Sequence, residues 1–229
     1  MSSWGSFFKK KSSSSGEYWL TVSDLMAALM VIFLFITIAF MQRVMKVVVA
    51  WEDTQEQIFE QLVNSFQDNM DDWNAEFDKE RLIIRFKDPE TLFDQGKYTL
   101  KASFKTVLTD FCPKYFDILD QYIPEIDEIR IEGHTSPEWN EGDSLEYAFF
   151  QNMRLSQTRT RAVMEYCFTL EDAYQYTWLP VYIRAVGMSS AKLALDENGN
   201  EDYDASRRVE FRIKTKAEER IASIMDGWQ

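Results

Sequence analysis

The feature that most constrains this chain is an uninterrupted apolar run near its beginning. Residues Trp19–Met41 read WLTVSDLMAALMVIFLFITIAFM, 23 residues with one ionisable side chain, Asp24. An α-helix of that length rises about 35 Å, enough to cross a hydrocarbon layer of about 30 Å. A secretory signal peptide is the alternative, but the run is too long, contains Asp24 and lacks a small-x-small cleavage site after Ala39. The run therefore predicts one retained transmembrane helix over 19–41.

The charge of the chain changes sign after this helix. Residues 1–50 carry five basic and two acidic side chains, a balance of +3, and the remaining 179 carry 20 and 36, a balance of −16. The total of −13 disfavours nucleic-acid binding, which needs a basic surface. Because Lys9–Lys11 precede the helix, the positive-inside rule predicts a cytoplasmic tail over 1–18, although Arg43 and Lys46 oppose it. The acidic remainder is then expected outside the cytoplasm, which in a Gram-negative cell means a periplasmic domain and a helix in the inner membrane.

Asp24 is the residue of the apolar run that carries chemistry. A carboxylate costs roughly 3 kcal/mol at mid-bilayer on insertion scales. An apolar surrounding favours its neutral form, and water or a partner favours its charged form, which is what a proton carrier requires. The alternative is an interfacial Asp that caps the helix, with Thr21 and Ser23 in the same role. Position alone does not separate these two interpretations.

The residues around Asp24 carry a resemblance that favours ion carriage. Their pattern is Trp19-x-x-x-x-Asp24-Leu25-Met26-x-Ala28-x-Met30-x-x-Phe33. It resembles the transmembrane signature of the B subunits of ion-driven stators, such as MotB and, more distantly, TolR and ExbD. The resemblance implies that Asp24 carries the ion at the interface between a B-subunit homodimer and a surrounding pentamer of MotA-like A subunits. Thr21 and Ser23 are candidates to support the ion path, with a proton favoured over sodium.

Segment 42–80 contains no Gly or Pro and predicts a helical connector. Its apolar residues are spaced by three or four and fall on one helical face. They are Phe59, Leu62, Phe66, Met70, Trp73 and Phe77. That face either packs on the chain's own domain or pairs with a second copy in a parallel coiled coil. The stator resemblance favours pairing near the membrane, so the connector is expected to be the dimerisation segment.

From Arg81 onward the pattern changes to short strands alternating with helices. The predicted order is β-α-β-α-β-β, an α+β fold with helices packed on one sheet. Strands are expected at 82–86, 128–132, 182–186 and 208–213, and helices at 101–122 and 154–169. Pro113 is expected to bend the first of these helices or to begin another. The domain is predicted over 81–215, followed by a C-terminal tail over 216–229.

Four short motifs follow one another in this region. They are Leu92-Phe93-Asp94-x-Gly96-x-x-x-Leu100, Ile131-x-Gly133-His134-Thr135, Asn152-x-x-Leu155-Ser156-x-x-Arg159 and Arg207-Arg208-Val209-Glu210-Phe211. In this order they resemble the successive motifs of the OmpA-like peptidoglycan-binding domain, over about residues 81–215. The resemblance implies that Arg159 pairs with a carboxylate of diaminopimelate, a task suited to a guanidinium fork. Asn152, Leu155 and His134 are supporting candidates for peptidoglycan binding.

The chain departs from that family directly after the Gly-His-Thr motif. The family usually has Asp at the next position, where it helps to hold the amino end of diaminopimelate, and this chain has Ser136. An acid-rich segment follows, in which Asp143 or Glu141 is a candidate substitute. The resemblance thus implies wall binding, and a domain that serves only for dimerisation is the alternative.

Cysteine and histidine usage bounds the remaining chemistry. Cys112 and Cys167 lie in the two predicted helices, and an oxidising compartment makes a disulfide between them a candidate, with two buried free thiols as the alternative. One histidine and two cysteines leave little room for a zinc cluster. The acidic stretch 196–207 fails the EF-hand pattern, so no metal or cofactor is expected. No nucleophile–base pair or phosphate loop stands out, and a non-enzymatic protein is expected.

These motifs together predict a stator B subunit that joins an ion-carrying helix to a wall anchor. The connector is shorter than flagellar B subunits usually have, and the compact build resembles the B subunits of Zorya anti-phage defence systems. That resemblance implies a motor that signals infection. A flagellar or Tol/Exb-type B subunit is the alternative within the class. A passive membrane-tethered wall anchor without ion flux is the alternative outside it.

Overall fold

The computed structural model describes residues 14–87, 92–94, 96–196 and 198–216. The basic cluster at 9–11 and nearly all of the predicted C-terminal tail lie outside these residues. The chain divides into two compact units between Val48 and Val49. Helix α1 (Ser14–Phe66) contributes residues to both units.

One segment of α1 meets the requirements for crossing a membrane. Trp19–Lys46 is long and apolar enough by its length and composition, and it contains the predicted span. Large apolar side chains such as Met30 are exposed along it. The hydroxyl of Thr37 donates to the carbonyl groups of Phe33 and Leu34, at 3.0 and 2.8 Å. Its polar group is therefore satisfied inside the helix, as an apolar surrounding demands.

The helical part of the connector is shorter than the predicted 42–80. Helix α1 ends at Phe66, a 3₁₀ turn covers Gln67–Asn69, and strand β1 occupies Ala75–Asp78. Asn74 has a φ of 49°, a left-handed backbone conformation that cannot continue a right-handed helix. The apolar spacing continued past the end of the helix and concealed the change to a strand.

The apolar residues of this segment pack on the chain's own domain. Leu62 and Phe66 are buried in the core, and Trp73 and Phe77 pack against it. The rings of Phe66 and Trp73 lie 5.0 and 6.1 Å from that of Phe111. Of the two arrangements left open by the sequence, packing on the domain accounts for this face. These side chains are not available for a coiled-coil seam.

The second unit is built around a five-stranded sheet of order β1-β2-β5-β3-β4. The further strands are β2 (Ile83–Lys87), β3 (Ile126–His134), β4 (Ile183–Ser189) and β5 (Arg208–Thr215). Strands β3 and β4 are parallel, and the other neighbours are antiparallel. The predicted α+β fold is confirmed, and β1 adds a hairpin strand at one edge.

Two long helices pack on one face of the sheet. They are α2 (Ala102–Asp120) and α3 (Leu145–Thr169), and the short helices are α4 (Leu179–Tyr182) and α5 (Tyr203–Ser206). Helix α2 continues through Pro113 as one helix, because buried residues on both sides, Phe111 and Tyr115, hold it on the core. Helix α3 starts earlier than predicted, since the Ser144 hydroxyl caps it by accepting the N–H of Tyr147 at 3.2 Å.

Helix α3 approaches the sheet closely at two glycines. A Cβ on Gly187 would lie 2.6 Å from the backbone nitrogen of Gln157, and one on Gly133 would lie 3.0 Å from the carbonyl oxygen of Ser156. The side chain of Gln157 accepts the N–H of Gly187 at 2.8 Å and donates to the carbonyl of Ala185 at 3.0 Å. This contact sets the position of α3 on β3 and β4, and with it the position of the predicted wall-binding motif.

Candidate functional site

One cavity of the second unit gathers three of the four residues predicted to bind the wall. It has a volume of about 440 Å³. Its lining comes from α3, from the loop after β3 and from the first of the four motifs. The predicted residues that line it are Asn152, Leu155 and Arg159. The sequence motif therefore corresponds to one continuous site.

The guanidinium of Arg159 is held in the cavity by neutral groups. Its Nε donates to the carbonyl of Lys97 at 2.8 Å, and its Nη2 donates to the carbonyl of Asp94 at 3.3 Å. The group also lies over the ring of Phe93, 4.8 Å from the centroid. Within the described part of the chain, no carboxylate pairs with it. A buried cation without a counter-ion favours an anionic ligand.

A second guanidinium makes this part of the cavity more positive. Burial, together with the nearby charge of Arg207, lowers the pKa of Arg159 to about 10. Arg207 lines the same cavity, and its outer nitrogen pairs with Asp204. A carboxylate ligand would relieve the repulsion between the two arginines and form charge-assisted hydrogen bonds.

Asn152 positions the loop after β3 that forms the other side of the cavity. Its Nδ2 donates to the carbonyl of Ser136 at 3.1 Å and to that of Glu138 at 3.0 Å. Because Asn152 is buried, these bonds hold the loop against α3. Leu155 adds apolar surface from the same helix.

The cavity has Ser136 where the family usually has an acid, and its acidic residue comes from another position. Ser136 and Thr135 line the cavity, and the buried hydroxyl of Thr135 has no hydrogen-bond partner in the described structure. Glu138 is the acidic residue of the lining. Asp143 and Glu141, the substitutes that the sequence suggests, do not line it. The spacing within an acidic segment does not indicate which acidic residue lies at the cavity, so the sequence alone does not single out Glu138.

His134 does not line the cavity with the other predicted residues. Side chains alternate along a strand, and Gly133 faces α3, so His134 faces the opposite side of the sheet. There its Nε2 lies 3.7 Å from a carboxylate oxygen of Glu132 and 3.5 Å from one of Glu210. This position corrects the expectation that His134 supports ligand binding alongside Arg159.

The two cysteines connect the helices that cover the sheet. Cys112 of α2 and Cys167 of α3 form a disulfide in the structure, with their Cα atoms 5.8 Å apart. That distance lies in the usual range for a disulfide. Both residues are fully buried. Of the two alternatives left open by the sequence, the structure has the bonded pair.

Helix geometry separates the two residues predicted to assist Asp24. Thr21 precedes Asp24 by three residues and shares its face of α1, whereas Ser23 is rotated by about 100°. Ala28 continues the face with a small side chain. The side chains of Thr21, Ser23 and Asp24 are exposed in the described chain. Asp24 therefore faces whatever surrounds this helix.

Similarity to a known protein decides the family. The chain is 44% identical over 223 residues to the Zorya protein ZorB of Escherichia coli, which covers 94% of this chain and 95% of that protein. The chain belongs to the ZorB family. No protein-family model matches it.

Two more distant similarities extend beyond the ZorB family. The chain is 28% identical over 165 residues to the uncharacterized protein YtxE of Bacillus subtilis, covering 71% of this chain and 61% of that protein. Among solved structures, a MotB-like protein from Desulfovibrio vulgaris has a TM-score of 0.52 at 20% identity, covering 72% of this chain and 96% of that chain. At this identity the likeness concerns the fold alone, and it agrees with the α+β domain found here.

Proposed function

We propose that this ZorB-family chain is the B subunit of an ion-driven stator that is anchored to peptidoglycan and acts in anti-phage defence. The observation that carries the proposal is the buried guanidinium of Arg159, which has no carboxylate partner among the described residues. Identity to a Zorya protein over nearly the whole chain supports the defence assignment. The role is non-enzymatic.

The proposed wall ligand is a stem peptide that contains diaminopimelate. One of its carboxylates binds Arg159, in the part of the cavity that Arg207 makes more positive. Its ammonium group binds Glu138, which takes the place of the acid that the family has at the position of Ser136. Asn152 holds the loop that carries Glu138, and Leu155 packs on the aliphatic part of the ligand.

The proposed motor step is the loading and unloading of a proton at Asp24. Two copies of α1 cross the inner membrane from a cytoplasmic N-terminus, and both wall domains lie in the periplasm. A pentamer of MotA-like A subunits surrounds the dimer and rotates as the ion passes. The exposure of Asp24 on α1 supports contact with another subunit. Rotation does useful work because the wall anchor holds the dimer still.

Binding to purified sacculi tests the wall anchor. The full-length chain in detergent is incubated with sacculi, and bound protein is measured after sedimentation. Arg159→Ala is expected to weaken retention by about tenfold or more, since a hydrogen bond to a charged group is worth about 1.5–3 kcal/mol. Arg161→Ala is the matched control, because Arg161 is an exposed residue of the same helix that pairs with Glu165. Undiminished retention of Arg159→Ala would remove Arg159 from the site.

Ion flux tests the role of the membrane helix. Asp24→Asn keeps the shape of the side chain but removes its ionisable group, so both ion flux and protection from phage are expected to be lost. Wall retention and co-purification with a polytopic A subunit are expected to persist. Asp53→Asn alters an acid of α1 beyond the apolar segment and is expected to leave both activities unchanged.

The alternatives make different predictions in the same experiments. A passive wall anchor would retain full protection as Asp24→Asn and would bring down no polytopic partner. A flagellar B subunit would restore swimming instead of phage protection. Native mass spectrometry of the complex measures the stoichiometry, for which two copies of this chain and a pentamer of A subunits are expected.

A further inference from the structure

Three buried ionisable side chains lie together on the sheet face opposite α2 and α3. Glu132 and His134 come from β3 and Glu210 from β5. In the register of these two strands, Glu132 lies directly opposite Glu210. These residues are 0%, 3% and 3% exposed. One ligand atom from each lies within 4.8 Å of the others. The proposed wall cavity uses none of them.

The same atom of His134 faces one oxygen from each carboxylate. Its Nε2 lies 3.7 Å from Oε2 of Glu132 and 3.5 Å from Oε2 of Glu210. Among the described residues, both oxygens of Glu132 and both ring nitrogens of His134 are buried without a hydrogen-bond partner. A buried carboxylate or imidazole in that condition lowers stability unless something completes it.

The other oxygen of each carboxylate faces guanidinium groups. Oε1 of Glu210 lies 2.8 Å from a guanidinium nitrogen of Arg85 and 2.6 Å from one of Arg208. Oε1 of Glu132 lies 3.7 Å from a guanidinium nitrogen of Arg130 and 3.8 Å from one of Arg212. Two arginines thus hold Oε1 of Glu210, and two more lie near Oε1 of Glu132. The Oε2 atom of each carboxylate lies beside Nε2 of His134.

The two distances from His134 to the carboxylates match the spacing between ligands of a small metal ion. The distances of 3.5 and 3.7 Å are longer than a normal hydrogen bond. They are close to the separation of about 3.4 Å between two ligands of a tetrahedral ion with bonds of about 2.1 Å. Imidazole nitrogen and carboxylate oxygen are both ligands of Zn²⁺.

We propose that Glu132, His134 and Glu210 supply three ligands to a buried site for a divalent transition-metal ion of the zinc type. Each carboxylate offers its Oε2 atom to the ion, and the arginines beside its Oε1 atom act as the outer-shell partners that orient metal ligands. The ion joins β3 to β5 at the end of β3, directly before Thr135 and Ser136 of the wall cavity. The inference does not rest on wall binding or on ion flux.

Metal analysis of the full-length chain tests this proposal. Protein in detergent that is loaded with equimolar Zn²⁺ and dialysed is expected to retain about one equivalent per chain by mass spectrometric metal analysis. Co²⁺ loading is expected to give the visible absorption bands of a tetrahedral site. Zn²⁺ added to metal-depleted protein is expected to raise its thermal midpoint, since an ion that binds only the folded state stabilises it.

One measurement on the unmodified chain separates a metal from a proton at the same point. His134 is the single histidine of the chain, so its ring nitrogens give an unambiguous ¹⁵N signal in tag-free protein. A metal-bound ring carries one proton, whereas an imidazolium between two carboxylates carries two. A doubly protonated ring in protein that retains no Zn²⁺ would overturn the proposal.

Matched variants locate the ligands without removing a side chain from the core. Glu132→Gln preserves the shape of the residue and is expected to reduce retained Zn²⁺ by at least about tenfold. Glu128→Gln, on the same face of the same strand but outside the cluster, is expected to retain it. Arg159→Ala, in the wall cavity, is also expected to retain it. Wild-type retention in Glu132→Gln would exclude this site.

Discussion

Two arginines of the folded domain are equally buried but have opposite surroundings. Arg159 is 9% exposed and Arg208 is 8% exposed. Arg208 pairs with the carboxylate of Glu210 at 2.6 Å and also donates to backbone carbonyls. In the described structure, Arg159 contacts two backbone carbonyls and the ring of Phe93, with no carboxylate. A missing counter-charge, rather than burial, is what distinguishes a candidate ligand-binding cation from a structural one.

The two faces of the sheet differ in the same way. On the face opposite α2 and α3, basic and acidic side chains of neighbouring strands form ion pairs, as Lys214 and Glu128 do at 3.0 Å. On the helix-covered face, Arg207 and Arg159 share a cavity. Adjacent residues Arg207 and Arg208 contribute to different faces because successive side chains near a strand point in opposite directions. One short motif therefore supplies both environments.

The helix-covered face also has a covalent link, and breaking it is expected to have the largest effect on stability. Replacing both Cys112 and Cys167 by Ser removes a link between residues 55 positions apart. In the loop-entropy model this costs about 4 kcal/mol of unfolding free energy. Urea denaturation with and without reductant measures the difference. Wild-type protein in reductant is expected to match the double variant, and two free thiols by non-reducing mass spectrometry would contradict the pairing.

Removing the paired arginine is expected to have the next largest effect. Arg208→Ala leaves Glu210 with Arg85 as its remaining guanidinium contact, and breaking a buried ion pair costs about 3 kcal/mol or more of unfolding free energy. Arg159→Ala breaks no ion pair, so we expect it to lower the free energy of unfolding by less than Arg208→Ala does. Urea midpoints of the two variants make the comparison directly. Equal losses would show that the two arginines have the same structural role.

The helical part of the cavity could be predicted because local spacing determines it. Asn152, Leu155 and Arg159 are separated by three and four residues, which places them on one face of any helix that contains them. The cluster of Glu132, His134 and Glu210 on the opposite face of the sheet was not predictable from the same motifs. Glu132 and Glu210 are distant in sequence, and the register of β3 against β5 brings them together. A motif reports residue types in order, but not which side of the sheet each one faces.

Strand β1 could not be predicted from the sequence, for a related reason. Met70, Trp73 and Phe77 fit a helical period, yet they pack on the core from a turn and a strand. The requirement to cover the core gives similar apolar spacing in both conformations. The left-handed backbone at Asn74 marks the change, and Asn tolerates that conformation better than most residues. A single Asn is too common to serve as a boundary signal.

Phe93 contacts the guanidinium of Arg159 and lines the same cavity. Its ring supports the guanidinium of Arg159, and an interaction of this kind is worth about 0.5–1 kcal/mol. Phe93→Leu is therefore expected to weaken retention on sacculi by about two- to fivefold at equal folded fraction. Phe104→Leu is the matched control, because Phe104 contacts Phe93 at 6.1 Å from within the same core. An equal loss of retention in both variants would mean that core packing, and not contact with Arg159, matters.

The smallest expected effect is the acid dependence of stability that comes from the ion pairs on the sheet face opposite α2 and α3. Burial opposes ionisation of Glu128, but hydrogen bonds from Arg130 and Lys214 outweigh it and hold its pKa below the usual value of 4.5. Because the folded-state pKa is the lower one, the stabilisation is present above the unfolded-state pKa and is lost as the pH falls through the folded-state pKa.

Glu128→Gln should therefore flatten the loss of stability in acid, by less than about 1 kcal/mol for a partly exposed pair. Arg159→Ala is the matched control, since Arg159 has no acidic partner in the described structure. The stability of this variant should fall with decreasing pH in the same way as that of the wild type. Urea midpoints between neutral pH and the acid limb of unfolding measure both curves. If the curves of the two variants changed equally, the two faces would not differ in their internal ion pairing.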